Sequence, residues 1–240
     1  MVRGGLIVLL TVFCSVSLWA QTPDYSIQHR EWEAVVLAGS SVPHKFTFPT
    51  SVAGSNQEAS RIVGMEYDSG YLFSVRGTQN LGDFWSADLE YSFANSPLRF
   101  TNLAPGIPTL SMSHHIHHII YNVSYLPLSR THRFRPYVDT GAGAALFYIA
   151  SHAKKDAVRM GLNLRDSWEL EFNLGGGFKY LLKDQLALTF DVRDRLSSVP
   201  SYGIPSSTEV VDGKYRPGIS VRGVMNTWQL GMGFSFQWDE

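Results

Sequence analysis

The run His114-His115-Ile116-His117-His118 puts four histidines within the length of one short strand. On a strand His114 and His118 share a face with Asn122 and Ser124, while His115 and His117 share the face of Ile119, Tyr121 and Val123. Two histidines on one strand face can ligate zinc, but zinc asks for a third or fourth ligand. No such ligand is marked by spacing, so His114 and His118 stand as metal candidates without a shell, and no cofactor is expected. Ser111, Ser113 and His114 could begin a serine hydrolase site, which needs a serine, a histidine and an orienting acid or amide. Neither a His-x-Ser-Asn run nor a Gly-x-Ser-x-Gly elbow accompanies them. Gly141-Ala142-Gly143 is not a phosphate loop, and Asn122-Val123-Ser124 matches a glycosylation sequon inside what reads as a strand. The chain is therefore expected not to be an enzyme.

A second group of chemically capable residues is spread along the chain. Arg76, Lys179 and Arg193 stand against Asp88, Glu90, Glu171 and Asp191, all on the polar stripes of segments that alternate with period two. Charges of both signs confined to one stripe read as an internal network rather than a solvated, lysine-rich face.

The elements that must position them are strands. The last is the clearest: Trp228, Leu230, Met232, Phe234, Phe236 and Trp238 alternate with Thr227, Gln229, Gly231, Gly233, Ser235 and Gln237. Phe84 to Phe93, Trp168 to Tyr180 and Gln185 to Arg193 obey the same rule, and Glu31 to Ala38, Tyr71 to Asn80, His115 to Tyr125 and Arg135 to Tyr148 follow it less cleanly. Eight strands result. Their connections alternate between short ones, Leu81-Gly82-Asp83, Leu126 to Phe134 and Leu182-Lys183-Asp184, and long ones near Gly39 to Gly70, Ala94 to His114, Ile149 to Ser167 and Leu196 to Met225. If Leu81-Gly82-Asp83 is a three-residue turn, Tyr71 pairs with Phe93, Phe73 with Tyr91, Val75 with Leu89, and Arg76 with Asp88.

Alternation alone does not say which face is outside, since a lipocalin or secreted sandwich has the same period. Strands of about ten residues suit a tilted bilayer crossing. Trp32, Trp85, Trp168, Trp228 and Trp238 lie near strand ends on the apolar stripe, as interfacial girdles require. The expectation is an all-β, eight-stranded antiparallel up-and-down transmembrane β-barrel. Strand direction places Trp32, Trp85 and Trp238 at the inner girdle and Trp168 and Trp228 at the outer one.

Composition agrees with an exported chain. Arg3, the apolar run Leu6 to Val16 and Leu18-Trp19-Ala20 read as a signal peptide, giving residues 1–20 as signal and 21–240 as barrel. The only cysteine, Cys14, lies in that segment behind a bulky Phe13, so neither a lipoprotein anchor nor later thiol chemistry is expected. A formal charge of −1 gives no attraction to nucleic acid. Mean hydropathy near zero does not exclude a barrel, whose alternating polarity averages out.

Arg135-Pro136-Tyr137-Val138 leading into Gly141-Ala142-Gly143, then Asn173-Leu174-Gly175-Gly176-Gly177 with its hairpin to Arg193, and the aromatic last strand resemble the small outer-membrane β-barrel family of the OmpA transmembrane domain and OmpX. That family usually ends on the aromatic residue, whereas here Asp239-Glu240 follow Trp238, and no segment is left for a peptidoglycan-binding domain. The resemblance implies a Gram-negative cell-envelope protein in the bacterial outer membrane, with membrane lipid and the outer-membrane assembly machinery as partners. A monomer with a structural or surface-interaction role through external loops and an unknown extracellular ligand is the expected function. A lipid-modifying enzyme and a narrow, porin-like small-solute pore are the alternatives.

Overall fold

The structure is a computed structural model that describes residues 29–43, 46–50, 61–104, 107–159, 163–204, 206, 209–211, 214–216 and 221–239. The expected signal segment 1–20 lies outside the described residues. In chain order the elements are β1 (Trp32–Pro43), β2 (Phe46–Thr50), β3 (Arg61–Tyr67), β4 (Gly70–Asn80), β5 (Trp85–Asn95), β6 (Leu98–Ala104), β7 (Ile107–Met112), β8 (His114–Tyr125), β9 (Phe134–Ile149), α1 (Ser151–Arg159), β10 (Ser167–Lys183), β11 (Leu186–Ser198), β12 (Glu209–Val211), β13 (Lys214–Arg216) and β14 (Val224–Trp238).

Eight of these strands close a barrel in the order β1-β14-β11-β10-β9-β8-β5-β4, every pair antiparallel and next in sequence around the ring. The barrel strands run from 11 to 17 residues, enough to cross a bilayer at a tilt. Closure leaves no edge, so each strand's backbone groups are answered by a neighbour on both sides. β1 and β14 pair from Trp32↔Trp238 upward, which puts both ends of the barrel on the rim with the short connections. Asp239, the residue beyond the aromatic end, ties that rim together. Its carboxylate takes a hydrogen bond from Arg30 Nη1 at 2.6 Å and from the Glu31 backbone N–H at 2.9 Å.

Two sequence expectations need correction. The β4–β5 turn sits one residue further along than expected: the Leu81 N–H donates to the Trp85 carbonyl at 2.7 Å, which leaves Gly82-Asp83-Phe84 as the loop, with Gly82 at a left-handed φ of 84°. Asn80 then faces Ser86, Phe73 faces Phe93, Val75 faces Tyr91 and Arg76 faces Glu90, two residues from the expected register. A slip of two leaves every side chain on its expected face. The second correction concerns the long connections, which are not irregular loops. β2, β3, β6 and β7 come from two different connections and join into one four-stranded sheet, β2-β3-β6-β7; β12 and β13 form a hairpin, and α1 occupies a third connection. Pro49 and Pro108 fall on the two edge strands of that sheet, where a missing N–H is tolerated.

The five tryptophans on barrel strands have outward register. Trp32, Trp85 and Trp238 sit at the short-turn rim, and Trp168 and Trp228 toward the other, with exposed Leu170, Phe172, Leu174, Leu230, Met232 and Phe234 between the two levels. An apolar belt bounded by two aromatic rings on an edgeless barrel is the architecture of bacterial outer-membrane proteins.

Candidate functional site

Inside the barrel the inward stripes are largely polar, β1 adding Val35 and Leu37, and the charged side chains fill the space with ion pairs. Arg193 on β11 is the hub. It donates to Glu90 on β5, to Asp139 Oδ2 on β9 at 2.7 Å, and lies 3.7 Å from Asp191. Arg195, one turn of the pleat higher, reaches Glu90, Glu171 at 2.9 Å and Gln229 at 2.6 Å. Arg76 donates to Asp191, with Glu90 at 3.4 Å and Asp88 at 3.7 Å. Tyr137 gives its hydroxyl proton to Asp191 as well. The amides finish the lattice: Asn122 donates to Asp88 at 2.8 Å, and Asn173 donates to Asn122 Oδ1 at 2.9 Å and Asp139 Oδ1 at 3.1 Å. Toward the short-turn rim Lys179 pairs with Glu33.

The structure thus brings Arg76, Asp88, Glu90, Glu171, Asp191 and Arg193 into one buried cluster and sets Lys179 apart with Glu33. Glu33, Asp139 and Arg195 belong to the lumen as well and were missed by the sequence reading, and His118, expected on the face of Asn122 and Ser124, joins them. Each lies on the inward parity of its strand, and Arg195 simply continues the β11 stripe two residues past its expected end.

Packing between these groups leaves little slack at Gly175. A Cβ there would stand 2.7 Å from Arg193 Cγ and 2.9 Å from Asp139 Oδ1. Gly175→Val should therefore push the hub arginine off its carboxylate and cost about 1–3 kcal/mol, an overpacking loss. A lowered urea midpoint in detergent micelles checks this, and an unchanged midpoint contradicts it.

The histidine run is split between the two faces, as its parity requires. His118 accepts from Gln229 Nε2 at 3.3 Å through Nε2, which leaves Nδ1–H to donate to Glu171 Oε2 at 2.7 Å. His114 donates from Nδ1 to the Ser96 carbonyl at 2.9 Å, so its Nε2 accepts from the Tyr202 hydroxyl at 2.8 Å. Tyr202 in turn sits 2.9 Å from the Tyr67 hydroxyl, whose proton completes a one-way chain. Burial pushes both phenols above their usual pKa, which keeps them protonated donors. Both nitrogens of His114 are thereby used to tie β8 to the external segments, and Ser111 and Ser113 do not share them. Among the described residues no group of three or more histidine, cysteine or acidic side chains could hold a metal ion.

Above the ion pairs the lumen turns apolar. Ile116 on β8 and Phe147 on β9 point into the barrel mouth and pack with Met65 and Tyr67 from β3, Leu98 and Phe100 from β6, and Met112 from β7. The sheet β2-β3-β6-β7 lays this buried face over the opening, with Met65 beside Phe100, Tyr67 beside Leu98, and Leu98 beside Met112. α1 adds Ala153 and Ala157, one turn apart on one face. Asp166 secures it by accepting from the Ile149 N–H at 3.0 Å and from Lys154 Nζ at 2.7 Å.

The opposite mouth has a polar floor. His29, just before β1, is 1% exposed, with Nε2 donating to the His132 carbonyl at 3.1 Å and Gln237 Nε2 3.0 Å from Nδ1. Burial, aided by the Arg135 cation, lowers its pKa from the usual 6.5 to about 3. A histidine held neutral in the fold contributes stability that is present above pH 6.5 and is lost as the pH falls from 6.5 toward about 3. His29→Gln should flatten that part of the pH–stability curve, and equal acid sensitivity in both proteins would contradict the assignment.

No protein-family model matches the sequence, and no curated protein matches it. Among solved structures the chain is similar to the outer membrane protein OprG of Pseudomonas aeruginosa, with 17% identity over 89% of this chain and 99% of that one, at a TM-score of 0.55. It is also similar to Neisserial surface protein A, with 13% identity over 86% and 96% of the two chains and a TM-score of 0.46. The N-terminal β-barrel domain of Pseudomonas aeruginosa OprF gives 14%, 88% and 100%, and a TM-score of 0.42. The likeness to OprG, together with the closed eight-strand ring, establishes the fold: this chain has the small outer-membrane β-barrel fold.

Proposed function

We propose that the protein is a non-enzymatic, non-conducting integral protein of the outer membrane that presents a built β-surface to the outside and contributes to envelope integrity or surface binding. The observation that carries this reading is the joining of two separate external connections into one four-stranded sheet over the apolar roof. A conduit needs a continuous wet path, whereas here an apolar layer lies over a lumen occupied by ion pairs. Membrane lipid and the assembly machinery are its proposed partners, and its proposed state is monomeric.

The decisive experiment compares cells that carry the full chain with cells in which the external segments 46–67 and 98–112 are replaced by short Gly-Ser links. The trimmed barrel should still insert, and cells carrying it should lose resistance to detergent or adhesion to a surface relative to the full chain. Outer-membrane lipids analysed by mass spectrometry should be the same in both and in cells lacking the protein. A new deacylated or otherwise altered lipid that depends on the protein overturns the non-enzymatic reading.

A further inference from the structure

The two histidines of the run that the lumen does not use, His115 and His117, point out of the barrel wall, where a bilayer would surround them. They sit at its outer end. His117 is level with Phe93 and Leu146, His115 with Asn95 and Tyr148, above the exposed apolar pair Ile119 and Tyr121. Polar groups on a lipid-facing wall are costly unless something answers them. His117 Nδ1 is answered by the Tyr91 hydroxyl at 2.9 Å, but His115 Nδ1 is buried with no hydrogen-bond partner. The rings form a continuous platform: Tyr148 stacks 6.4 Å from His115 and stands edge-on 6.3 Å from His117, and Lys154 Nζ lies 5.1 Å over the Tyr148 ring.

We propose that His115, His117, Tyr91, Tyr148 and Lys154 form a binding site for the phosphate-bearing headgroup of an outer-leaflet lipid. The charge on the platform selects the occupant. α1 carries Lys154, which reaches the Tyr148 ring, together with Lys155 and Arg159; Lys154 is shared with Asp166 and Arg159 with Asp156, while Lys155 has no ion pair among the described residues. An ammonium with one carboxylate keeps two further N–H donors for an anion. With both Nδ1 atoms buried or bonded, the Nε2 atoms of His115 and His117 are the ring nitrogens left to meet a headgroup, and the acyl chains continue down the wall over Ile119, Tyr121 and Leu170, all exposed.

The site rests on the membrane reading above, and one experiment separates the two. The full chain is refolded into nanodiscs of phosphatidylcholine doped with equal amounts of bis-phosphorylated lipid A and its phosphate-free counterpart, then released in mild detergent and weighed intact with its bound lipid. The retained lipid should favour the phosphorylated form by about five-fold for each cation engaged. Lys154→Gln with Lys155→Gln should remove most of that preference, His115→Phe with His117→Phe should weaken it, and Met232→Leu on β14, across the barrel, should leave it intact. Failure of the wild-type chain to insert overturns the membrane reading itself. Insertion with an even lipid ratio overturns the headgroup site alone, as does loss of the lipid to excess inorganic phosphate, which would mark a site for a soluble anion.

Discussion

Arg193→Met should be the most damaging single replacement in the barrel, with an expected loss of about 3–5 kcal/mol, because removing one partner of a buried ion pair leaves uncompensated charge behind. Arg193 answers both Glu90 and Asp139, and each carboxylate would be left short of a donor among side chains that are at most a few per cent exposed. Methionine keeps the volume of the stem, so the loss reports charge rather than a cavity. Urea unfolding from detergent micelles measures it, and a change below about 1 kcal/mol would mean that water reaches these carboxylates. The same network directs where coupling should be found. Arg76→Ala and Asp191→Ala should be strongly non-additive, since Arg76 donates to Asp191 directly. Arg76→Ala and Asp88→Ala should couple less, because Asp88 stands 3.7 Å off and has Asn122 at 2.8 Å as a separate donor.

The second large effect belongs to the roof. Phe100 is fully buried between β3 and β7 in the apolar cluster, and Phe100→Ala should cost that cluster about 3–5 kcal/mol in lost transfer energy and cavity. The consequence should stay local. The barrel below is held by its own ladders and ion pairs, so the folded form should keep its heat-modifiable electrophoretic mobility while protease added from outside cuts within β6 or β7. Protease resistance equal to that of the unaltered chain would show that the sheet is not held down by this face.

How far the sequence could reveal this depends on strand length. β10, β11 and β14 announced themselves because one full stripe of each faces lipid and the other a polar lumen over more than ten residues, so period two survives any local exception. The five girdle tryptophans followed from the same parity. The external sheet was not legible. β2, β3, β6 and β7 are 5 to 7 residues long, carry Pro49 and Pro108, and pair across separate connections, so nothing local marks them as partners. Register was lost for a different reason. The three-residue loop sits one position further along, at Gly82-Asp83-Phe84 instead of Leu81-Gly82-Asp83, which moves every pairing by two and exchanges Asp88 for Glu90 opposite Arg76 without changing any face. The lumen partners Asp139 and Glu33 approach Arg193 and Lys179 across the barrel rather than along a ladder, a proximity that follows from closure and not from spacing in the chain.

The histidine run illustrates how one motif divides its roles. His114 is consumed by hydrogen bonds that join the lumen to the roof and His118 by hydrogen bonds to Glu171 and Gln229 within the lumen, while His115 and His117 stand outside with the aromatic rim. The four share a motif in sequence but not an environment.

Ion pairs and an apolar roof should together close this lumen to ions. Single-channel recording of the purified, folded full chain in a planar lipid bilayer tests it most directly. The expected record is a baseline without conducting steps at either polarity, from protein whose insertion is verified by its folded electrophoretic mobility. Stable, long-lived ion-conducting steps from that same protein would contradict it, since they require a continuous water path through Arg193 and its carboxylates and past Ile116 and Phe147.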